Sequence, residues 1–212
     1  MKTFLKLFIF LSITFLSFLS FSYEVKEGVL RTPDDRFENL ENYPFKPNYM
    51  MIDGLRIHYL DEGPKDADPI ILFHGEPTWS YLFRKMIPVF TEAGYRVVVP
   101  DMVGFGKSDK FESKYNYSYQ LHIEVMKELV RRLDLKNATH FGQDWGGLVG
   151  LRVVAEMPNR FSQVVVSNTG MVAGEGISAW FMQRLVELTV WWNGPITFKE
   201  LKIAAQEALN AE

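Results

Sequence analysis

Three short runs of branched and apolar residues limit the folds open to this chain. They are "IILF" at 70–73, "RVVVP" at 96–100 and "FSQVVVSN" at 161–168. Runs this short, without polar alternation, suit strands buried on both faces, as in a parallel sheet covered by helices. "ATHFG" at 138–142 is a weaker strand, and 55–60 alternates in the manner of a half-buried one. Helical patterns lie between these runs. Residues 81–91 place apolar side chains at 82, 83, 86, 87, 89 and 90, with Pro88 expected to kink or split the helix. Ser118 is placed to cap a helix running to about 133, with Ile123, Met126, Leu129, Val130 and Leu133 along one side. A third helix is predicted over 145–157, ended by Pro158. Strands alternating with helices predict an α/β fold with a mostly parallel sheet. Residues 23–50, with Pro33, Pro44 and Pro47, read as a mostly irregular arm. From Gly170 onward the alternation stops, and 170–212 reads as a helical excursion carrying Trp180, Trp191 and Trp192.

The first 22 residues differ in kind. Lys2 and Lys6 precede an apolar stretch from 7 to 21, and Ser20 and Ser22 supply small residues before a cleavage point near Tyr23. This is the pattern of a secretory signal peptide, and its apolar run is shorter than the roughly 20 residues needed to span a bilayer. The expectation is an exported protein, periplasmic or secreted. The net charge of −3 comes with no basic block, so a nucleic-acid partner has no electrostatic footprint. Cysteine is absent, which excludes disulfides and thiolate chemistry. The four histidines, His58, His74, His122 and His140, have no metal-ligand spacing, and no metal is expected.

"GQDWGG" at 142–147 joins a predicted strand to a predicted helix. The spacing Gly142-x-Asp144-x-Gly146 is that of a nucleophile elbow, in which a strained turn presents the central side chain at the C-terminal edge of the sheet. The backbone N–H of Trp145 would lie at a helix N-terminus, suited to developing negative charge. Chemistry accounts for an acid at the centre. Serine attacking a saturated carbon would leave an ether, a dead end, whereas a carboxylate leaves an ester that water can cleave. Asp144 therefore predicts an sp³ electrophile with a leaving group, such as an alkyl halide or an epoxide. The competing reading is that Asp144 merely caps the following helix. "GKS" at 106–108 lacks the upstream glycine of a phosphate loop and is read as a tight turn.

Several spaced segments then point one way: "RTPDDRFENLENYPFKPNY", "HYLDEG", "HGEPTWSYLFRKMIPVF", "PDMVGFGKSDK" and "QDWGG". Together, over about 29–169, they resemble the haloalkane dehalogenases of the α/β-hydrolase superfamily, in the subgroup with Glu after His-Gly. The resemblance implies Asp144 as the nucleophile of an SN2 step. It implies that the halide is held by the indole N–H of Trp145 and of a cap tryptophan, best matched by Trp180. It implies an oxyanion hole from the backbone N–H groups of Glu76 and Trp145, with His74 structural. The substrate would be a small halogenated alkane, with water as co-substrate and alcohol, halide and a proton as products. No cofactor is implied, and a monomer is expected.

In this fold the order is nucleophile, acid, histidine, yet no histidine follows Asp144. The chain is accordingly read as an N-terminal piece with a signal peptide (1–22), the first part of the core (23–169) and the start of a helical cap (170–212), able to form the alkyl ester but not to cleave it. The alternatives are an epoxide hydrolase and a non-catalytic hydrolase-like binding protein. Epoxide hydrolases hold the epoxide oxygen with cap tyrosines, and here no tyrosine follows Tyr119.

Overall fold

The computed structural model describes residues 25–170. The expected signal peptide and nearly all of the expected cap, with Trp180, Trp191 and Trp192, lie outside the described residues.

The apolar runs form strands. β2 (Asn48–Ile52), β3 (Leu55–Glu62), β4 (Pro69–Phe73), β5 (Arg96–Pro100), β7 (Ala138–Gln143) and β8 (Phe161–Ser167) make one sheet in the order β2-β3-β5-β4-β7-β8. β5, β4, β7 and β8 are parallel, and β3 runs antiparallel to both β2 and β5. β1 (Val29–Leu30) and β6 (Lys110–Phe111) form a separate antiparallel ribbon.

The two faces of the sheet explain the unbroken apolar character of its centre. Ile71, Phe73 and Val98 enter one buried layer with Ile123, Met126, Leu129 and Val130 of α2 (Tyr119–Arg132), and with Val149, Val153 and Val154 of α3 (Trp145–Glu156). Ile70, Leu72, Val97 and Val99 enter the opposite layer with Tyr43, Phe83 and Ile87. Successive side chains point to opposite faces, so a strand covered on both sides must be apolar at every position. Each such side chain contributes up to about 1.5–3 kcal/mol on burial. β8 departs from that pattern. Its Val164 is half-buried and its Val165 is 45% exposed, because β8 is the edge strand of the described sheet.

Two other elements differ from expectation. The 23–50 arm is more regular than its prolines suggest, since it contains β1, a 3-10 turn at Asp34–Phe37, and the start of β2. β2 pairs with β3 through a two-residue turn, Asp53 (φ 50°) and Gly54 (φ 80°). Asp-Gly favours this hairpin turn because both central residues need positive φ. Residues 81–91 are split rather than kinked, and the break falls ahead of Pro88 rather than at it. A 3-10 turn (Ser80–Phe83) is followed by α1 (Met86–Glu92), with the break before Pro88. Pro88 has no N–H to offer the carbonyl of Arg84, and its ring would clash there. The helix restarts so that Pro88 falls in its first turn, where N–H groups lack intrahelical partners. α2 begins as predicted, with the Ser118 hydroxyl accepting from the Leu121 N–H.

Candidate active site

The C-terminal ends of β4 and β7 are neighbours in the parallel register, Phe73 opposite Gly142. The loop after each strand therefore opens at the same edge of the sheet. After β7 comes Asp144, with φ 53° and ψ −126°, a backbone conformation rare for any residue but glycine. The turn is held from below. A side chain at Gly146 would be driven into the carbonyl of Phe73, so only glycine lets α3 start this close to β4. The Asp144 N–H donates toward the carbonyls of Ser167 and Asn168 at 3.3 and 3.2 Å, which ties the turn to the end of β8.

The Asp144 side chain makes no capping bond to α3. Its Oδ1 instead accepts from the backbone N–H of Glu76 at 3.0 Å. This removes the helix-cap reading. Gly75 lies directly beneath that carboxylate, and a Cβ there would collide with it. Trp145 is the first residue of α3, so its N–H is among those left without a partner inside the helix. Its side chain is 47% exposed and lies beside the ring of Tyr119 at 6.5 Å. Asp144, Glu76 and Trp145 are thus brought together by the fold, while Trp180 lies outside the described residues.

The histidines occupy other roles. His74 is buried; its Nδ1 pairs with the Gly75 carbonyl at 3.0 Å and its Nε2 accepts from the Met102 N–H at 3.0 Å. Burial pushes its pKa down, only partly opposed by Asp101 and the Gly75 carbonyl. His140 sits beneath the elbow, against Phe73 and Gly150, and burial pushes its pKa down to about 3. The His122 pKa is lowered by burial and by nearby His74. His58 donates or accepts through Nδ1 at 2.8 Å from Asp101, with both side chains fully enclosed. Among the described residues, none of these rings hydrogen-bonds Asp144.

Asp101 itself escaped the reading of "DMVGFGKSDK" as a simple turn. It accepts from the N–H groups of Ser80 and Lys107 at 2.7 and 2.8 Å as well as pairing with His58. Burial pushes its pKa up, but the bond and charge of His58, with nearby His74 and the Lys107 N–H, more than offset this and hold it below the usual carboxylate range. Lys107 turns its ammonium toward the rings of Phe37 and Tyr43, at 5.3 and 5.5 Å. Two threonines were also missed. Thr78 Oγ1 donates to the Gly75 carbonyl at 2.8 Å, and Thr169 Oγ1 donates to the Asp144 carbonyl at 2.7 Å. Among the described residues, no three His, Asp or Glu side chains converge on a point suited to a metal ion.

The strained acid-bearing turn between β7 and α3 faces a backbone N–H from the loop after the neighbouring β4. A family model described as the α/β hydrolase fold matches residues 68–203. This chain belongs to the α/β hydrolase fold family. Within it, the chain is 50% identical over 198 residues to a haloalkane dehalogenase of Psychrobacter cryohalolentis, covering 86% of this chain and 65% of that protein. Among solved structures, haloalkane dehalogenase DpaA from Paraglaciecola agarilytica NO2, described as tetrameric, superposes with a TM-score of 0.68 at 37% identity, over 86% of this chain and 71% of that one. Epoxide hydrolase CorEH gives 0.56 at 27% identity, over 63% and 46%. The chain spans less than two thirds of the length of the Psychrobacter dehalogenase.

Proposed function

We propose that this α/β hydrolase displaces halide from small haloalkanes through an alkyl ester on Asp144. The carboxylate attacks the halogen-bearing carbon from behind. The carbon–halogen bond breaks as the ester bond forms, and the halide leaves toward the indole N–H of Trp145, joined by a tryptophan of 170–212, Trp180. Water then attacks the ester carbonyl. The charge that develops on its oxygen is met by the N–H groups of Glu76 and Trp145, and the products are a primary alcohol, halide and a proton. None of the four histidines is placed to activate that water, so the described residues serve alkyl transfer. No cofactor takes part. Asp144, Glu76 and Trp145 come from a single chain, so a monomer suffices for these contacts. Residues 1–22 are proposed to direct export, with the mature protein starting near Tyr23.

The observation that best supports this reading is the Asp144 carboxylate itself, turned away from the helix it precedes and toward the Glu76 N–H. The 50% identity to a named dehalogenase, against 27% to the epoxide hydrolase, favours a halide over an epoxide. The test is to incubate the complete gene product with 1-bromobutane and 1,2-dibromoethane. Bromide release and the intact protein mass are followed, with Asp144→Ala as control. We expect a mass gain of one alkyl group on the wild type, and loss of both signals by about 10³-fold or more in the variant. Absence of both from the wild type across a broad haloalkane panel refutes the proposal.

A further inference from the structure

We infer that two threonine hydroxyls, of Thr78 and Thr169, act as positioning residues that aim the two backbone donors of the anion hole. The inference rests on the reading of Asp144 as the group that becomes an ester.

The donors belong to two peptide units, Gly75–Glu76 and Asp144–Trp145. In a trans peptide the carbonyl and the following N–H point in opposite directions within one rigid plane. Fixing the carbonyl therefore fixes the N–H. The Gly75 carbonyl accepts from Thr78 Oγ1 at 2.8 Å, from the Thr78 N–H at 2.9 Å, and pairs with His74 Nδ1 at 3.0 Å. The opposite end of that plane, the Glu76 N–H, is directed at Asp144 Oδ1 at 3.0 Å. The second unit is built alike. The Asp144 carbonyl accepts from Thr169 Oγ1 at 2.7 Å and from the Gly147 N–H at 2.9 Å. By the same planarity the Trp145 N–H is directed opposite to that carbonyl, away from α3.

The two threonines come from unrelated places. Thr78 closes the turn after β4, and Thr169 lies just beyond β8. Thr169 is buried, and its side chain lies so close to Gly147 that a Cβ on that glycine would strike it. Neither hydroxyl reaches the Asp144 carboxylate, so each acts through a peptide plane rather than on the reacting atoms. A donor with freedom to rotate must be reoriented when the ester carbonyl becomes an oxyanion, whereas a pinned one need not be. The hydroxyls should thus matter more for ester cleavage than for ester formation.

The test compares serine and alanine at each threonine, two variants that differ only by the hydroxyl. The complete gene product is alkylated with 1-bromobutane, freed of substrate, and the first-order loss of the butyl adduct is followed by intact mass. Thr169→Ala and Thr78→Ala are expected to slow adduct loss about fivefold each, the effect of one neutral hydrogen bond. The rate of mass gain should change less than the rate of mass loss. Thr169→Ser and Thr78→Ser should restore wild-type loss to within about twofold. If one alanine variant does not fold, the other position carries the comparison. Equal adduct lifetimes in the serine and alanine variants overturn the inference while leaving Asp144 as nucleophile. Failure of the wild type to gain mass or release bromide overturns the reading of Asp144, and the inference with it.

Discussion

Replacing His140 with leucine should make the protein resist acid. The ring lies beneath the elbow among Phe73, Gly142 of β7 and Gly150 of α3, and neither nitrogen has a hydrogen-bond partner among the described residues. Burial lowers its pKa from 6.5 to about 3. The sign follows from linkage. Above pH 6.5 the imidazole is neutral whether the chain is folded or not, and the group contributes no pH dependence. Below it the unfolded chain takes up a proton that the folded chain refuses, so stability falls as the pH drops toward 3. Each pH unit in that window costs about 1.4 kcal/mol, giving about 2 kcal/mol at pH 5 relative to pH 7. Urea unfolding of wild type and His140→Leu, followed by tryptophan fluorescence at both pH values, isolates this contribution. His74 and His122 titrate equally in both proteins and cancel from the difference. The stability of the variant relative to wild type should rise by about 2 kcal/mol between pH 7 and pH 5. An unchanged difference at the two pH values would refute the placement of a neutral, unpartnered imidazole under the elbow.

Two further outcomes follow from the site. Gly146→Ala pushes a methyl into the Phe73 carbonyl, a backbone atom with little room to yield, and should cost about 3 kcal/mol in a urea titration. Trp145→Phe keeps the ring and removes the indole N–H; bromide should bind about tenfold more weakly, as read from product inhibition of halide release.

Where burial alone dictates residue choice, the sequence can be read directly. β4 and β5 are apolar at each central position because both faces are covered, and the helix after Ser118 is marked by a cap and a single apolar side. The elbow was legible because its glycines answer to close backbone contacts that no other residue permits. The rest depends on partners far apart in the chain. β2 has only half-buried residues apart from Ile52, and Pro47 just before it disguises its start. Its one local sign is the Asp53–Gly54 turn. Pro88 splits its segment, one of the two expected outcomes, but the break falls before it because a proline forbids helix only on its N-terminal side and the chain can restart just there. Asp101 looks like any turn acid until His58 and Ser80 arrive from two other segments and the Lys107 N–H folds back on it from its own loop. Thr78 and Thr169 have no spacing relation to Asp144 that a linear reading would detect, since one lies 66 positions before it and the other 25 positions after it.

The Asp144 carboxylate is met by a main-chain amide, that of Glu76, and the proposed reaction enlists a second at Trp145; that choice of donor has an evolutionary consequence. Any residue except proline supplies the same N–H, so a change of side chain at 76 or 145 does not delete the main-chain donor, whatever it does to halide binding at 145. Selection on stabilising the oxyanion, as distinct from the halide, must then fall on the surroundings that hold those planes still. The side chains at 76 and 145 are left open to be shaped by which molecule enters.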